Sequence, residues 1–146
     1  CPDAAVIGTT ILHDYQLLFR GGRHTGVATI EMKRGASVPV LLWQITEKCE
    51  KALDRYEGHP HLYRKKKLIV NMDGDELVAM AYVMNEGPPL AMPDAYYYAT
   101  ILDGYHDCGF DEQILKEAVM YTKDLQDVQK RKSERPFCTD VLAKLP

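Results

Sequence analysis

Glu57 is the residue whose placement asks for chemistry. Ile45, Cys49, Ala52, Leu53 and Tyr56 recur at the spacing of one helix face, with Thr46 as N-cap, Glu47 in the first turn and Gly58 just past the end. Glu57 therefore falls in the last turn, where a carboxylate opposes the negative end of the helix dipole at a cost of about 0.3–1 kcal/mol. Asp54, one turn earlier, adds a like charge on nearly the same face. Both influences, with any burial, push the Glu57 pKa toward the range useful for a general base at neutral pH. The plainer alternative is a solvated helix-end acid paired with Arg55 or Lys51.

Other groups nearby invite comparison. His59-Pro60-His61 beside Glu57 has the residue types of a Zn²⁺ or Fe²⁺ site, yet the spacing supplies no further ligand and Pro60 makes a good turn, so surface histidines are the simpler account. In Tyr96-Tyr97-Tyr98, consecutive helical side chains diverge, so not all three can face one core. Either they form a packed aromatic cluster, or Tyr97 offers its hydroxyl to a polar ligand in a neighbouring cleft. Lys65-Lys66-Lys67 and Lys130-Arg131-Lys132 read as solvated basic runs, the first suited to guarding a sheet edge. No G-x-S-x-G elbow, phosphate loop, dinucleotide fingerprint, H-E-x-x-H or calcium loop occurs.

The elements that must position these residues are legible from periodicity. Strands are expected over Ala5–Leu12, Tyr15–Phe19, Gly26–Met32 and Val38–Ile45, with turns at His13-Asp14, Gly21–Thr25 and Lys33–Gly35. The helix after Thr46 follows, then strands Tyr63–Asn71 and Glu76–Met84 joined by Asp73-Gly74, a two-residue hairpin signal. Asn85–Pro93 is a Gly- and Pro-rich connection. Asp94 caps a helix burying Tyr98, Ile101, Leu102 and Tyr105 and ending near Gly109; Asp111 caps another burying Ile114, Leu115, Ala118, Val119, Thr122 and Leu125. Six strands with one inserted and two trailing helices predict an α+β fold, a small mixed, mostly antiparallel sheet or barrel with flanking helices. One domain over 1–129 and a charged extension over 130–146 complete the expected layout.

Composition bounds the function classes. The 146 residues carry 46% hydrophobic and 27% charged residues with a formal net charge of −3, which fits one folded domain and argues against nucleic-acid binding driven by basicity. Charged residues interrupt every apolar run, so no membrane span is expected, and Cys1-Pro2-Asp3 does not resemble a secretory signal. Cys1, Cys49, Cys108 and Cys138 are widely spaced without a C-x-x-C pair; reduced thiols in a cytoplasmic protein are the expectation.

The order of these residues resembles the gamma-glutamylcyclotransferase-like (avirulence-induced-gene-like) family. Pro2-Asp3-Ala4 through Leu12-His13-Asp14-Tyr15-Gln16-Leu17 is similar to its "P-x-A … L-x-D-Y-x-L" opening, and Gly26–Ile30 to its next strand. Leu53-Asp54-Arg55-Tyr56-Glu57-Gly58 with Tyr63 resembles "L-D-x-x-E-G … Y", and Tyr97–Gly104 resembles "Y-x-x-x-I-x-x-G". The resemblance implies a mixed barrel with a substrate cleft at one end, and an intramolecular reaction. The α-amino group of a γ-glutamyl compound attacks its own γ-carbonyl, giving 5-oxoproline and a free amine. It implies Glu57 as the catalytic acid/base and Gly58, Tyr63 and Tyr97 as substrate-cleft residues, with no metal or organic cofactor. The partner implied is a small γ-glutamyl substrate, acting on a monomer or homodimer, with Arg23, His24, His59 and Pro88 placed to touch its variable half. The family's N-terminal Y-G-S-N strand and loop, whose N–H groups would hold the glutamyl unit and the oxyanion, is absent from these residues. The chain is therefore expected to begin inside its domain. The rival readings are a non-catalytic relative that binds a ligand in the same cleft, and a metal enzyme built on Glu57, His59 and His61.

Overall fold

The computed structural model describes residues 1–134. Four strands and three helices follow one another as β1 (Ala5–Gly22), β2 (Thr25–Gln44), α1 (Glu47–Tyr56), β3 (Tyr63–Met72), β4 (Asp75–Met84), α2 (Ala95–Cys108) and α3 (Glu112–Ser133). The strands make two antiparallel hairpins, β1–β2 and β3–β4, rather than a closed barrel.

The two signals expected to be turns, His13-Asp14 and Lys33–Gly35, lie opposite each other inside one long hairpin. His13 pairs with Ser37 and Tyr15 with Met32, so Asp14 alone faces Lys33 to Ala36. Asp14 and Gly35 both take positive φ, 64° and 84°, and the Asp14 carboxylate accepts the Gly35 N–H at 3.0 Å. Residues suited to turning the chain here build a bulge that bends both strands without ending them. Four strands replace the six expected for that reason.

The Asp73-Gly74 hairpin behaves as its sequence requires. Both residues have positive φ, 52° and 88°, and Met72 pairs with Asp75 across a two-residue turn. Leu12 of β1 packs on Leu68 and Val70 of β3, joining the two hairpins. On the other side, Leu17, Phe19 and Val38 pack against Tyr105, Leu115 and Ala118 of the two C-terminal helices. Asp94 and Asp111 cap those helices as expected. The α3 helix runs past residue 129 to Ser133, so Lys130-Arg131-Lys132 form its last turn, where cations suit the helix dipole. The rest of the expected extension, and Cys138, lie outside the described residues.

The Asn85–Pro93 connection is laid against the tip of the β1–β2 hairpin. Pro89 and Met92 carbonyls accept the N–H groups of Gly21 and Gly26 at 3.0 and 2.9 Å, and Ala91 N–H donates to Phe19 at 3.1 Å. Glycine is needed at position 26 because a Cβ there would stand 2.0 Å from the Ala91 carbonyl oxygen.

Thr122 closes the core. Fully buried, its hydroxyl accepts the Phe19 N–H at 3.1 Å and donates to Ala118 O at 2.9 Å. Thr122→Val keeps the shape and strands the Phe19 N–H in an apolar core. We expect urea denaturation to show a loss of about 1–3 kcal/mol, the cost of a buried donor left unpaired.

Candidate active site

The position of Glu57 follows from how α1 lies on β3–β4. Thr46 caps the helix by accepting the Cys49 N–H at 3.2 Å. Glu50, Asp54 and Glu57 then share one face at helical spacing. Across from them, Tyr63 and Lys65 share one face of β3, and Lys65 pairs with Tyr82 of β4. The Lys65 ammonium bridges Glu50 at 2.7 Å and Asp54 at 2.8 Å, and the Tyr82 hydroxyl donates to Asp54 at 2.5 Å. With that knot fixed, the next turn of the helix carries Glu57 toward Tyr63, the first residue of β3.

This corrects one part of the electrostatic expectation. Asp54 is not a cause of the Glu57 shift: its charge is met by Lys65 and the Tyr82 hydroxyl, which hold its own carboxyl below the usual range. The Glu57 pKa is raised, as expected, and burial is the cause. Neither expected cation neutralises it. Lys51 pairs with Glu47 at 3.1 Å, and Glu57 has no ion pair among the described residues. The inward stripe of α1 also ends sooner than expected: Cys49 is buried beside Cys1, but Tyr56, two turns on, is 85% exposed. Glu57 is the helix's C-terminal cap residue, and Gly58 follows at φ 63°, with its missing Cβ space occupied by Leu62.

Tyr63 and Tyr97 both feel the charge of Glu57. Burial pushes the Tyr63 hydroxyl up to about 12, with smaller contributions from Tyr97 and Glu57. Burial likewise raises Tyr97, Ala28 opposes it, and Glu57 adds to the rise. The three groups therefore sit close enough to sense one another's charge. Tyr97 carries a structural duty as well, since its hydroxyl oxygen accepts the Ala28 N–H of β2 at 2.9 Å. The first turn of α2, which holds it there, is fixed by Asp94 accepting the Tyr97 N–H at 2.8 Å.

The histidines are not drawn together with Glu57. His59 Nδ1 lies 3.2 Å from the Tyr63 carbonyl oxygen with its ring edge toward Tyr82, and His61 is exposed. Among the described residues no three His, Cys, Asp or Glu side chains converge as a metal-binding group. Arg23 and His24 stand at the exposed β1–β2 tip, away from that loop in sequence.

Two cavities lie elsewhere. One of about 600 Å³ is mainly apolar and runs between β1, the end of β2 and β4, past Ile7, Trp43, Leu53, Val78 and Tyr82. The other, of about 530 Å³, is polar and lies between the start of β2, β3 and the end of β4. Neither is lined by Glu57, Gly58, Tyr63 or Tyr97. Sequence reasoning missed Lys65 and Tyr82 as the pair that sets Glu57, although the two-residue hairpin turn alone fixes them opposite each other.

The architecture, two linked antiparallel hairpins with a short helix ending on a part-buried glutamate, has counterparts among known proteins. The family model for gamma-glutamyl cyclotransferase, AIG2-like, matches residues 2–105. The chain belongs to that family. An uncharacterized human protein, loc79017, is 25% identical with a TM-score of 0.67, over 80% of this chain and 74% of that one. A structure described as a gamma-glutamyl cyclotransferase is 24% identical with a TM-score of 0.68 over the same shares, and YkqA from Bacillus subtilis is 16% identical with a TM-score of 0.69, over 81% of this chain and 44% of its own. No curated protein gives a significant sequence match. Among the described residues no helix is long and apolar enough to cross a membrane.

Replacing Lys65 with Met leaves Glu50 and Asp54 facing each other without a cation. Because the folded Asp54 pKa is depressed, its contribution is present above the unfolded carboxylate pKa and lost as pH falls through the folded value. Thermal melts should show Lys65→Met less stable than the parent at neutral pH, with the deficit shrinking below the ordinary carboxylate range.

Proposed function

We propose that this protein is a γ-glutamyl cyclotransferase with Glu57 as its acid/base. The observation that supports the reading best is a half-buried carboxyl with a raised pKa and no ion pair, set beside two half-buried tyrosines. A carboxylate kept from cations and partly from water is a better proton acceptor than a solvated one.

Glu57 takes a proton from the substrate α-ammonium. The freed amine attacks the γ-carbonyl carbon, forming the lactam C–N bond. As the γ-amide C–N bond breaks, the Glu57 carboxylic acid gives its proton to the departing amine, the second proton of the new lactam nitrogen passes to solvent or to that amine, and 5-oxoproline and the amine leave with Glu57 again a carboxylate. The attack is intramolecular, so holding the glutamyl arm folded supplies much of the acceleration, and the route calls for no metal or organic cofactor. Gly58, Tyr63 and Tyr97 would line the substrate. Reduced thiols at Cys1, Cys49 and Cys108 accord with a cytoplasmic setting as part of this proposal.

A second reading, a ligand-binding relative without turnover, draws on the absence of these four residues from both cavities. One assay separates the two. Glu57→Gln should reduce 5-oxoproline release from a γ-glutamyl amino acid by roughly 10²- to 10⁴-fold, the usual worth of a positioned acid/base, with the circular-dichroism spectrum unchanged. Parent protein that binds the substrate and releases nothing would establish the second reading.

The pH dependence has a definite sign. The base form of Glu57 is required, and its pKa is raised, so kcat/KM should fall on acidification with a midpoint above the ordinary carboxylate range. A limb at the pKa of a solvated glutamate would remove Glu57 from the role.

A further inference from the structure

We propose that the polar cleft holding Arg64 and Lys66 is an anion subsite that receives a carboxylate of the substrate, an inference that rests on the γ-glutamyl reading above. The cleft, of about 530 Å³, is walled by Arg20, Glu31, Arg64, Lys66, Asn85 and Pro88 among others. Its three cations are not equivalent. Arg20 is already satisfied, pairing with Glu31 at 2.5 Å and donating to the Pro88 carbonyl at 3.1 Å. Arg64 gives one N–H to the Met84 carbonyl at 2.8 Å and has no ion pair among the described residues. Lys66 lies with its ammonium 5.2 Å from the centre of the Tyr15 ring, also without an ion pair among them. Each is thus steadied by a neutral neighbour that orients the side chain and leaves the charge unmatched. The remaining acid of the cleft, Glu86, is exposed at its rim.

Two unmatched cations, one a planar fork suited to bidentate pairing, favour a carboxylate. The cleft does not include Glu57, but its wall is tied by hydrogen bonds to the loop that follows Glu57. Arg64 follows Tyr63 in β3 and so points to the opposite face of the sheet, at the first step of the strand's alternation. Asn85 in the cleft wall is stitched to the loop after Gly58, its amide donating to Pro60 at 2.7 Å and His61 at 3.1 Å, and its backbone N–H to Leu62 at 3.0 Å. On the opposite wall Thr29 neighbours Ala28, which is bound to Tyr97. The proposal therefore requires the substrate to pass around the N-terminal end of β3, with its reacting end at Glu57 and its carboxylate at Arg64 and Lys66.

A γ-glutamyl compound offers its glutamyl α-carboxylate, and a second carboxylate when the leaving amine is an amino acid. Steady-state kinetics of parent protein and Arg64→Gln/Lys66→Met with γ-glutamylglycine and γ-glutamylmethylamide separate these sources. A KM raised 10-fold or more for both substrates at unchanged kcat assigns the glutamyl carboxylate; a rise confined to γ-glutamylglycine assigns the leaving amino acid. Unchanged KM for both overturns the proposal. Lys67→Met, on the same strand but outside the cleft, is the control and should leave both constants as they were. If the parent turns over neither substrate, the cyclotransferase reading fails and calorimetric titration with glutarate tests the subsite alone. Parent and Glu57→Gln should then bind glutarate and Arg64→Gln/Lys66→Met should not; equal binding by all three, or none by the parent, overturns the subsite.

Discussion

The ammonium of Lys65, shared between Glu50 and Asp54 and backed by the Tyr82 hydroxyl, is the interaction on which the site's geometry depends. The α1 helix has ten residues, too few to be stable alone in water, and only Cys49 on it is fully buried. Its orientation cannot come from a broad apolar face. It comes from a charged seam in which one cation answers two acids a turn apart. The partners are only part-exposed, between 27% and 40% at the side chain, so solvent screens them less than it would a surface pair. Glu57 takes its direction from this seam without belonging to it.

That separation explains how two neighbouring acids acquire opposite characters. Asp54 is held ionised by a lysine and a phenol. Glu57, one turn further, meets tyrosines and partial burial. Environment divides them, with helix position contributing the register and little else. The same strand shows a related division on its two faces, since Lys65 is consumed by α1 while Lys66 turns inward to the Tyr15 ring. Three consecutive lysines that look alike in sequence therefore do three different things, and only Lys67 is the solvated charge expected of a basic run.

Much of this was legible before any coordinates. Helix caps at Thr46, Asp94 and Asp111 and the Asp73-Gly74 hairpin rest on local chemistry, and all four stand where the residues require. The buried stripe of the last helix, through Leu115, Ala118 and Thr122, was equally readable. The interruption of β1 and β2 was not, because the residues that turn a chain are the residues that bulge a strand, and only the partner strand decides between them. Tyr56 shares a periodicity with Cys49 yet lies in solvent, since periodicity marks a face and says nothing of how far its cover extends. For the candidate site, Glu57 and Tyr97 were singled out from residue type and position, and Tyr63 from the family resemblance. The uneven pairing of Arg64, Lys65 and Lys66 was not legible, because a lysine or arginine in a strand looks the same whether its charge is matched or left over.

Tyr97 illustrates how a structural commitment can restrict chemistry. Its oxygen is occupied by an outward-facing amide of β2, so one lone pair is spoken for while the hydroxyl hydrogen stays uncommitted. The phenol is thereby biased toward giving a hydrogen bond rather than receiving one. The free hydrogen of that hydroxyl pairs best with an electron-rich atom, such as a carbonyl or carboxylate oxygen.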